Sequence, residues 1–278
     1  MGTSGWAYPE WRGSFYPTGL PQRRHLEYLA GQFSTVEING SFYSLQRPSS
    51  YQNWSAQTPS DFCLAVKGGR FITHLRRLRE PEVPLANFFA SGVLALGDKL
   101  GPVLWQFPAN LPFDPDLLAE FIAFLPRGTK DAAELANRHG PVLTADRTWL
   151  TVDEDRPLRH AIEVRHESFR TEVFSDLLRA NDIALVVSDS PGTWPCFEEI
   201  TANFSYFRLH GHTELYASGY SRRALADWAA KIRDWSKQGD VYVYFDNTAK
   251  GHAPRDADRL AALLDLDRQV SECAAGGP

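Results

Sequence analysis

Apolar and polar residues alternate in short runs along this chain, and stretches of helical period separate the runs. β-type runs fall at Gly2–Trp6, Thr35–Asn39, Phe62–Lys67, Pro102–Phe107, His160–Arg165, Ile183–Ser188, Phe204–His210 and Val241–Phe245. Between them, apolar residues three and four apart predict helices at Leu20–Gln32, Asp114–Leu125, Val173–Asn181, Ala224–Lys237 and Arg255–Leu266. Strands that alternate with helices pair in parallel through crossover units. Eight such strands in 278 residues fit an α/β fold, a single (β/α)8 TIM-like barrel over residues 1–270. A doubly wound open sheet is the alternative, but no glycine-rich phosphate loop follows the first run. The segment 127–158 exceeds what a barrel connection needs. It is expected to add a helix at Asp131–Arg138 and a hairpin around Val142–Val152. Residues 271–278 are expected to form a flexible tail.

The parity of the runs then separates two faces. Val36 and Ile38 oppose Glu37 and Asn39; Phe62, Leu64 and Val66 oppose Cys63, Ala65 and Lys67. Gln106 ends "VLWQ". Ile162 and Val164 oppose Glu163 and Arg165, and Phe207 and Leu209 oppose Tyr206, Arg208 and His210. In each case the charge is confined to late positions on the face that would point into a barrel. Separate internal ion pairs have no reason to crowd at one end of several strands. Barrel active sites lie at the strand C-termini, so these residues predict a shared site there. An inward ion network is the structural alternative for any one of them.

The segments "GTSGWAYPEWRGSFYP", "FSTVEINGSFY", "FCLAVKGGRFITH", "DKLGPVLWQFP", "IEVRHESF", "YFRLHG" and "VYVYFDNTAKGHAP" resemble, in order, the signature segments of the DUF72 family. The resemblance spans nearly the whole chain and implies a TIM-barrel-like fold. It implies no activity, because the family is defined as a domain of unknown function. The chain departs from the family pattern after the last strand, where Asp246-Asn247 stands in place of an Asn-Asn pair.

Composition narrows the chemistry. With 43% hydrophobic and 23% charged residues the chain can bury a large core. A formal charge of −5 argues against a general nucleic-acid coat, whose binding rests on clustered cations. No run reaches the length of a membrane span, and the N-terminal stretch lacks a signal-peptide pattern. Cys63, Cys196 and Cys273 form no CxxC, so neither a disulfide framework nor a zinc knuckle is indicated, and a cytoplasmic location is expected.

Glu37 and Glu163, facing each other across a barrel, are the minimum for general acid/base chemistry of the glycosidase kind. The alternative is that Glu163 pairs with Arg165 or Arg208 and stays ionised. His210 is a candidate acid/base partner. Lys67, Arg165 and Arg208 form a cationic cluster suited to phosphate or carboxylate; Lys67 could also be an amine nucleophile if desolvated beside another cation. "HGH" at 210–212, with His166, Glu163 or Asp189, raises a metal site, but the cations at the same mouth would repel a divalent ion, and neither metal nor cofactor is expected. "GTSGW" is not a nucleophile elbow. Asn39, Gln106, His166, Asp189 and Asn247 are candidate substrate contacts. So are Trp6 and Tyr43, picked from a set of aromatics that includes Tyr8, Phe42 and Tyr216 because each follows a strand end. The Arg70–Arg79 run, with four arginines and His74, could carry phosphate binding outward. The sequence thus points to an enzyme, a hydrolase or a lyase/isomerase, that uses acid/base chemistry on a small anionic, phosphorylated or sugar-containing substrate. The alternative is a non-catalytic protein that binds nucleotide, nucleic acid or another anion.

Overall fold

Eight parallel strands pair in sequence order, β1 to β8, and β1 pairs with β8 to close the ring. The computed structural model describes residues 1–266; the expected tail and the last residues of the expected domain lie outside them. The strands are β1 (Gly2–Ser4), β2 (Thr35–Ile38), β3 (Cys63–Lys67), β4 (Leu100–Gln106), β5 (His160–Glu163), β6 (Ala184–Asp189), β7 (Phe204–Leu209) and β8 (Asp240–Phe245). The α/β barrel expected from the alternation is therefore the fold.

Outside the ring lie α1 (His25–Ala30), α2 (Gly40–Tyr43), α3 (Pro48–Ala56), α4 (Glu82–Ala90), α5 (Pro115–Ala123), α6 (Thr129–Ala136), α7 (Glu172–Ala180), α8 (Arg222–Trp235) and α9 (His252–Leu263). Their starts are chemically marked. Asp114, Thr171 and Ser221 each accept a hydrogen bond from a first-turn amide of α5, α7 and α8. Residues 190–203 join β6 to β7 without a helix, so the outer ring is incomplete there. In the 127–158 insertion α6 forms as expected, but the hairpin does not. Residues 142–152 are irregular around a short 3-10 turn at Ala145–Arg147, and the segment's one bridge joins Gly128 to Pro157. Alternating apolar residues there pack on the barrel's outer layer, as Trp149 and Leu150 do, rather than on a second strand.

Parity holds around the ring. The outward faces merge with the helices into one large core that includes Val36, Ile38, Val66, Trp105, Ile162, Val187 and Phe207. A separate inner cluster of Ala65, Leu104, Ala161, Ala184, Val186, Phe204, Tyr206 and Tyr244 fills the barrel. Small residues on β3, β5 and the start of β6 leave room for the two tyrosines. Tyr244 Oη lies 2.8 Å from Thr35 Oγ1, and Tyr206 Oη donates to Glu37 Oε2 at 2.6 Å. The packed interior thus ends upward in polar groups, and the register sets neighbours at matched heights: Ser4 beside Glu37, Gln106 beside Glu163, Ser188 beside Arg208.

Candidate functional site

Above the tyrosine layer, one guanidinium gathers most of the interior charge. Arg208 Nε donates to Glu37 Oε2 at 3.1 Å, Nη1 to Glu163 Oε2 at 2.7 Å, and Nη2 to Glu37 Oε1, Ser4 Oγ and Asp246 Oδ2 at 2.9, 2.9 and 3.0 Å. Glu37 also accepts from the Ser4 hydroxyl. Arg165 Nε donates to Glu163 Oε1 at 2.7 Å. His210 is fully buried; its Nε2 lies 3.1 Å from Ser188 Oγ, and its Nδ1 is 3.0 Å from Asp246 Oδ2 without the alignment of a hydrogen bond. Burial alone would push Glu163 upward, but Arg165 and Arg208 outweigh it and hold the carboxyl well below the ordinary range. Asp246 follows the same pattern, with burial opposed first by Arg208 and then by the adjacent His210 ring. Burial works against the charge on Arg208 too, and Glu37, Asp246 and Glu163 reverse it, so the guanidinium is bound more tightly to its proton than usual.

A cavity of about 650 Å³ opens over this layer. Its lining includes Asn39, Lys67, Gln106, Arg165, Arg208 and Asp246 from the strand ends, with Tyr8, Phe42, Tyr43, Arg70, His74 and Tyr216 from the loops. Four of the lining residues are cationic and one, Asp246, is acidic. Lys67 ends β3 with its side chain 8% exposed, and Nζ sits 4.3 Å from the Phe42 ring centroid. Among the described residues its ammonium has no hydrogen-bond or ion-pair partner. Burial, and then Arg208, lower its pKa from 10.5 to about 8, against the opposing pull of Glu37, Glu163 and Asp246. The Arg165 guanidinium sits over the Trp194 ring, its carbon 3.9 Å from the centroid, and uses only Glu163 Oε1. That cation–π contact holds in place a cation that still has donors to offer.

The loop after β3 adds a further group. A π-helical turn at Phe71–Leu75 brings His74 over the cavity, edge-on to Phe42, with Nδ1 2.8 Å from Thr73 Oγ1. Burial, followed by Lys67, Arg165 and Arg70, pushes its pKa down to about 4, so it stands neutral at pH 7.

The structure brings together Asn39, Lys67, Gln106, Arg165, Arg208 and Tyr43 of the expected site, and separates the rest. Glu37, Glu163 and His210 lie fully buried beneath the cavity rather than in its lining. Arg208 touches the cavity, but each of its nitrogens donates to an internal acceptor. Asp189 is corrected outright: it falls on the outward parity of β6, where its Oδ2 accepts from Tyr220 Oη and Trp228 Nε1. Asn247 is buried below the β8 loop and donates to Ser218 O and Asp256 Oδ2. His166 caps the 3-10 turn after β5 by accepting from the Ser168 amide. Trp6 packs edge-on against Trp54. Tyr8, Phe42 and Tyr216 of the aromatic set, and Arg70, His74 and Leu75 of the basic run, join the lining; the residues missed are Asp246 and Thr248, with Ser4 and Trp194 behind them. Asp246 had a signal, since it continues the inward parity of Tyr242 and Tyr244, and so had Ser4 at the end of β1; Thr248 and Trp194 sit in loops, where parity gives none. Among the described residues, no group of three or more His, Cys, Asp or Glu side chains is gathered as a metal site, and no helix is long and apolar enough to cross a membrane.

Comparisons with known proteins agree with this architecture. The chain is 29% identical over 276 residues to the UPF0759 protein YecE of Escherichia coli (strain K12), covering 99% of this chain and 95% of that one. It is 24% identical over 297 residues to the UPF0759 protein YunF of Bacillus subtilis (strain 168), covering 96% and 95%. A crystal structure of a DUF72 family protein from Thermotoga maritima superposes with a TM-score of 0.73 at 25% identity, over 95% of this chain and 98% of that one. One from Enterococcus faecalis gives 0.72 at 18% identity over 96% and 95%, a likeness of fold. The family described as "Protein of unknown function DUF72" matches residues 1–276, and the chain belongs to that family.

Proposed function

We propose that the protein is an enzyme that acts on a small anionic, hydroxyl-rich substrate, a phosphorylated or carboxylated sugar-type molecule, held in the cavity above the barrel. The observation that carries this reading is the buried Lys67 ammonium without a partner, opposite Arg165 in the same cavity. A buried cation costs several kcal/mol unless something pairs with it, so an anion that enters would relieve that cost. Asp246, Asn39 and Gln106 supply acceptors and donors for hydroxyl groups, and Phe42, Tyr43 and Tyr216 supply flat apolar faces. In this reading Glu37 and Glu163 do not move protons. Arg165 and Arg208 hold Glu163 ionised, and Glu37 is engaged by Arg208, Ser4 and Tyr206. The acid–base work falls to Lys67, whose pKa near 8 suits transfer close to neutrality, while Asp246, held ionised by Arg208, serves as a hydrogen-bond acceptor.

A non-catalytic phosphate-binding role draws on a second hollow of about 540 Å³ that shares Leu75 with the first and carries Arg76, Arg77 and Arg79. Two of those arginines are engaged, however: Arg76 with Glu80, and Arg77 with the Asn110 side chain and carbonyl.

The reading is tested by thermal melts in phosphate and in chloride at equal ionic strength, alongside turnover of a panel of sugar phosphates and sugar acids. Phosphate is expected to raise Tm specifically, with Arg165→Ala losing most of the rise, and a panel member is expected to turn over. Phosphate stabilisation without any turnover would favour the binding protein. No specific stabilisation would remove the anion site.

A further inference from the structure

We propose that Lys67 forms a covalent iminium with a carbonyl carbon of the substrate, which makes the substrate class of this site a small anionic aldehyde, ketone or 2-oxo acid. The inference rests on the substrate reading above and deepens it. A lysine that only pairs with an anion has no use for a lowered pKa, since it must stay charged to do so. Lys67 is the reverse case: its stem is walled in, Nζ is held against the face of Phe42, and the Arg208 guanidinium acts on it with no carboxylate bonded to it. Desolvation beside another cation is the arrangement that frees an amine lone pair near neutral pH.

The backbone fixes the nucleophile. The Lys67 carbonyl accepts from the buried Ser41 hydroxyl at 2.7 Å. The next residue, Gly68, sits where any Cβ would come within 2.3 Å of the Trp105 ring, so the chain at Lys67 is pressed onto the barrel wall. Arg165 already provides a permanent cation for the anionic group. The lysine is therefore free to act on a carbonyl placed between them.

The step balances without an outside reagent. Near pH 8 a large share of Lys67 has already given its proton to solvent, while Asp246, held well below the ordinary carboxylate range by Arg208, stays ionised and does not take it. The amine lone pair then adds to the carbonyl carbon, and the C=O π electrons move to oxygen, which is protonated to the carbinolamine. Loss of that oxygen as water leaves C=N⁺H–Lys67. Overall, ammonium plus carbonyl gives iminium plus water. The positive charge stays where it was, so the carboxylates beneath see no change in balance.

The test is reductive trapping of the intact protein. The protein is incubated near pH 8 with dihydroxyacetone phosphate or pyruvate, treated with borohydride, and its peptides are mapped by mass. Lys67 is expected to carry close to one reduced adduct per chain, while the exposed Lys237 and Lys250 stay largely unmodified. Excess sulfate is expected to suppress the adduct, and Lys67→Arg and Lys67→Met, confirmed folded by circular dichroism, are expected to lack it. An unmodified Lys67 beside intact phosphate stabilisation of Tm would overturn the iminium and leave the anion site standing. A Lys67 adduct equally strong with uncharged carbonyls and insensitive to sulfate would keep the amine chemistry and overturn the anionic substrate. Adducts spread evenly over all lysines would overturn the proposal.

Discussion

Two cations on strands that face each other across the ring, Lys67 on β3 and Arg208 on β7, live in opposite circumstances. Arg208 is 1% exposed and donates from every nitrogen to Glu37, Glu163, Ser4 and Asp246; Lys67 is 8% exposed and, among the described residues, bonds to none of them. The first has its proton held tightly by its neighbours, and the second has it loosened by burial and by Arg208 itself. Position on an inward strand face therefore does not separate structural charge from functional charge. Saturation of the donors does.

The contrast is most directly broken at Arg208. Arg208→Met should leave two fully buried carboxylates short of their main partner. Its expected cost is about 3–5 kcal/mol of unfolding free energy by denaturant titration, with failure to accumulate folded protein as the extreme. A loss under about 1 kcal/mol would mean that the network is not structural.

Lys67→Met carries the opposite sign. A lysine whose folded-state pKa drops from 10.5 to about 8 is charged at a cost in the folded state. The folded protein then binds fewer protons than the unfolded chain between those values, so stability rises with pH across that window. Below about pH 8 the full penalty applies, on the order of 3 kcal/mol, and it fades as pH approaches 10.5. Lys67→Met should therefore unfold at higher denaturant than wild type at pH 7 and flatten the rise in stability between pH 8 and 10. If the variant is less stable at pH 7, the ammonium has a partner and the contrast with Arg208 collapses.

The smallest effect sharpens the edge of the network. Tyr206 donates to Glu37 Oε2 from within the packed interior, while Arg208 and Ser4 hold the same carboxylate from above. Tyr206→Phe should cost about 1–2 kcal/mol, since one donor is lost but the charge stays paired. It should also leave the response of Tm to phosphate unaltered. A changed phosphate response would show that the interior layer and the cavity are energetically one unit.

The barrel and its inward charges were legible in the sequence because a strand's side chains alternate with period two. Glu37, Glu163, Arg165 and Arg208 needed nothing further to be placed at one end. What spacing cannot supply is which inward charges reach one another across the ring, so Arg208 and Lys67 looked alike. Parity also fails wherever the extended backbone ends. Gly5 turns at positive φ, which sends Trp6 to the rim and brings Tyr8 back over Ser4. The π-helical turn returns His74 to the cavity in the same way. Asp189 was misassigned on a related ground: its charge suggested a site, while its parity, one step past the inward Ser188, put it among the helices.

The Arg208 network also bears on how such a chain can be divided. Its members come from β1, β2, β5 and β7 and from Asp246, the residue that follows β8. A cut between β4 and β5 would leave one fragment with Glu37 and no guanidinium, and the other with Arg208 and two of its carboxylates but not the third. Each half would carry mismatched charge toward a face that only the partner can cover. This barrel is therefore not two modules sewn together: the interior electrostatics become favourable only when the ring is complete, which makes closure itself the cooperative event and disfavours survival as a half.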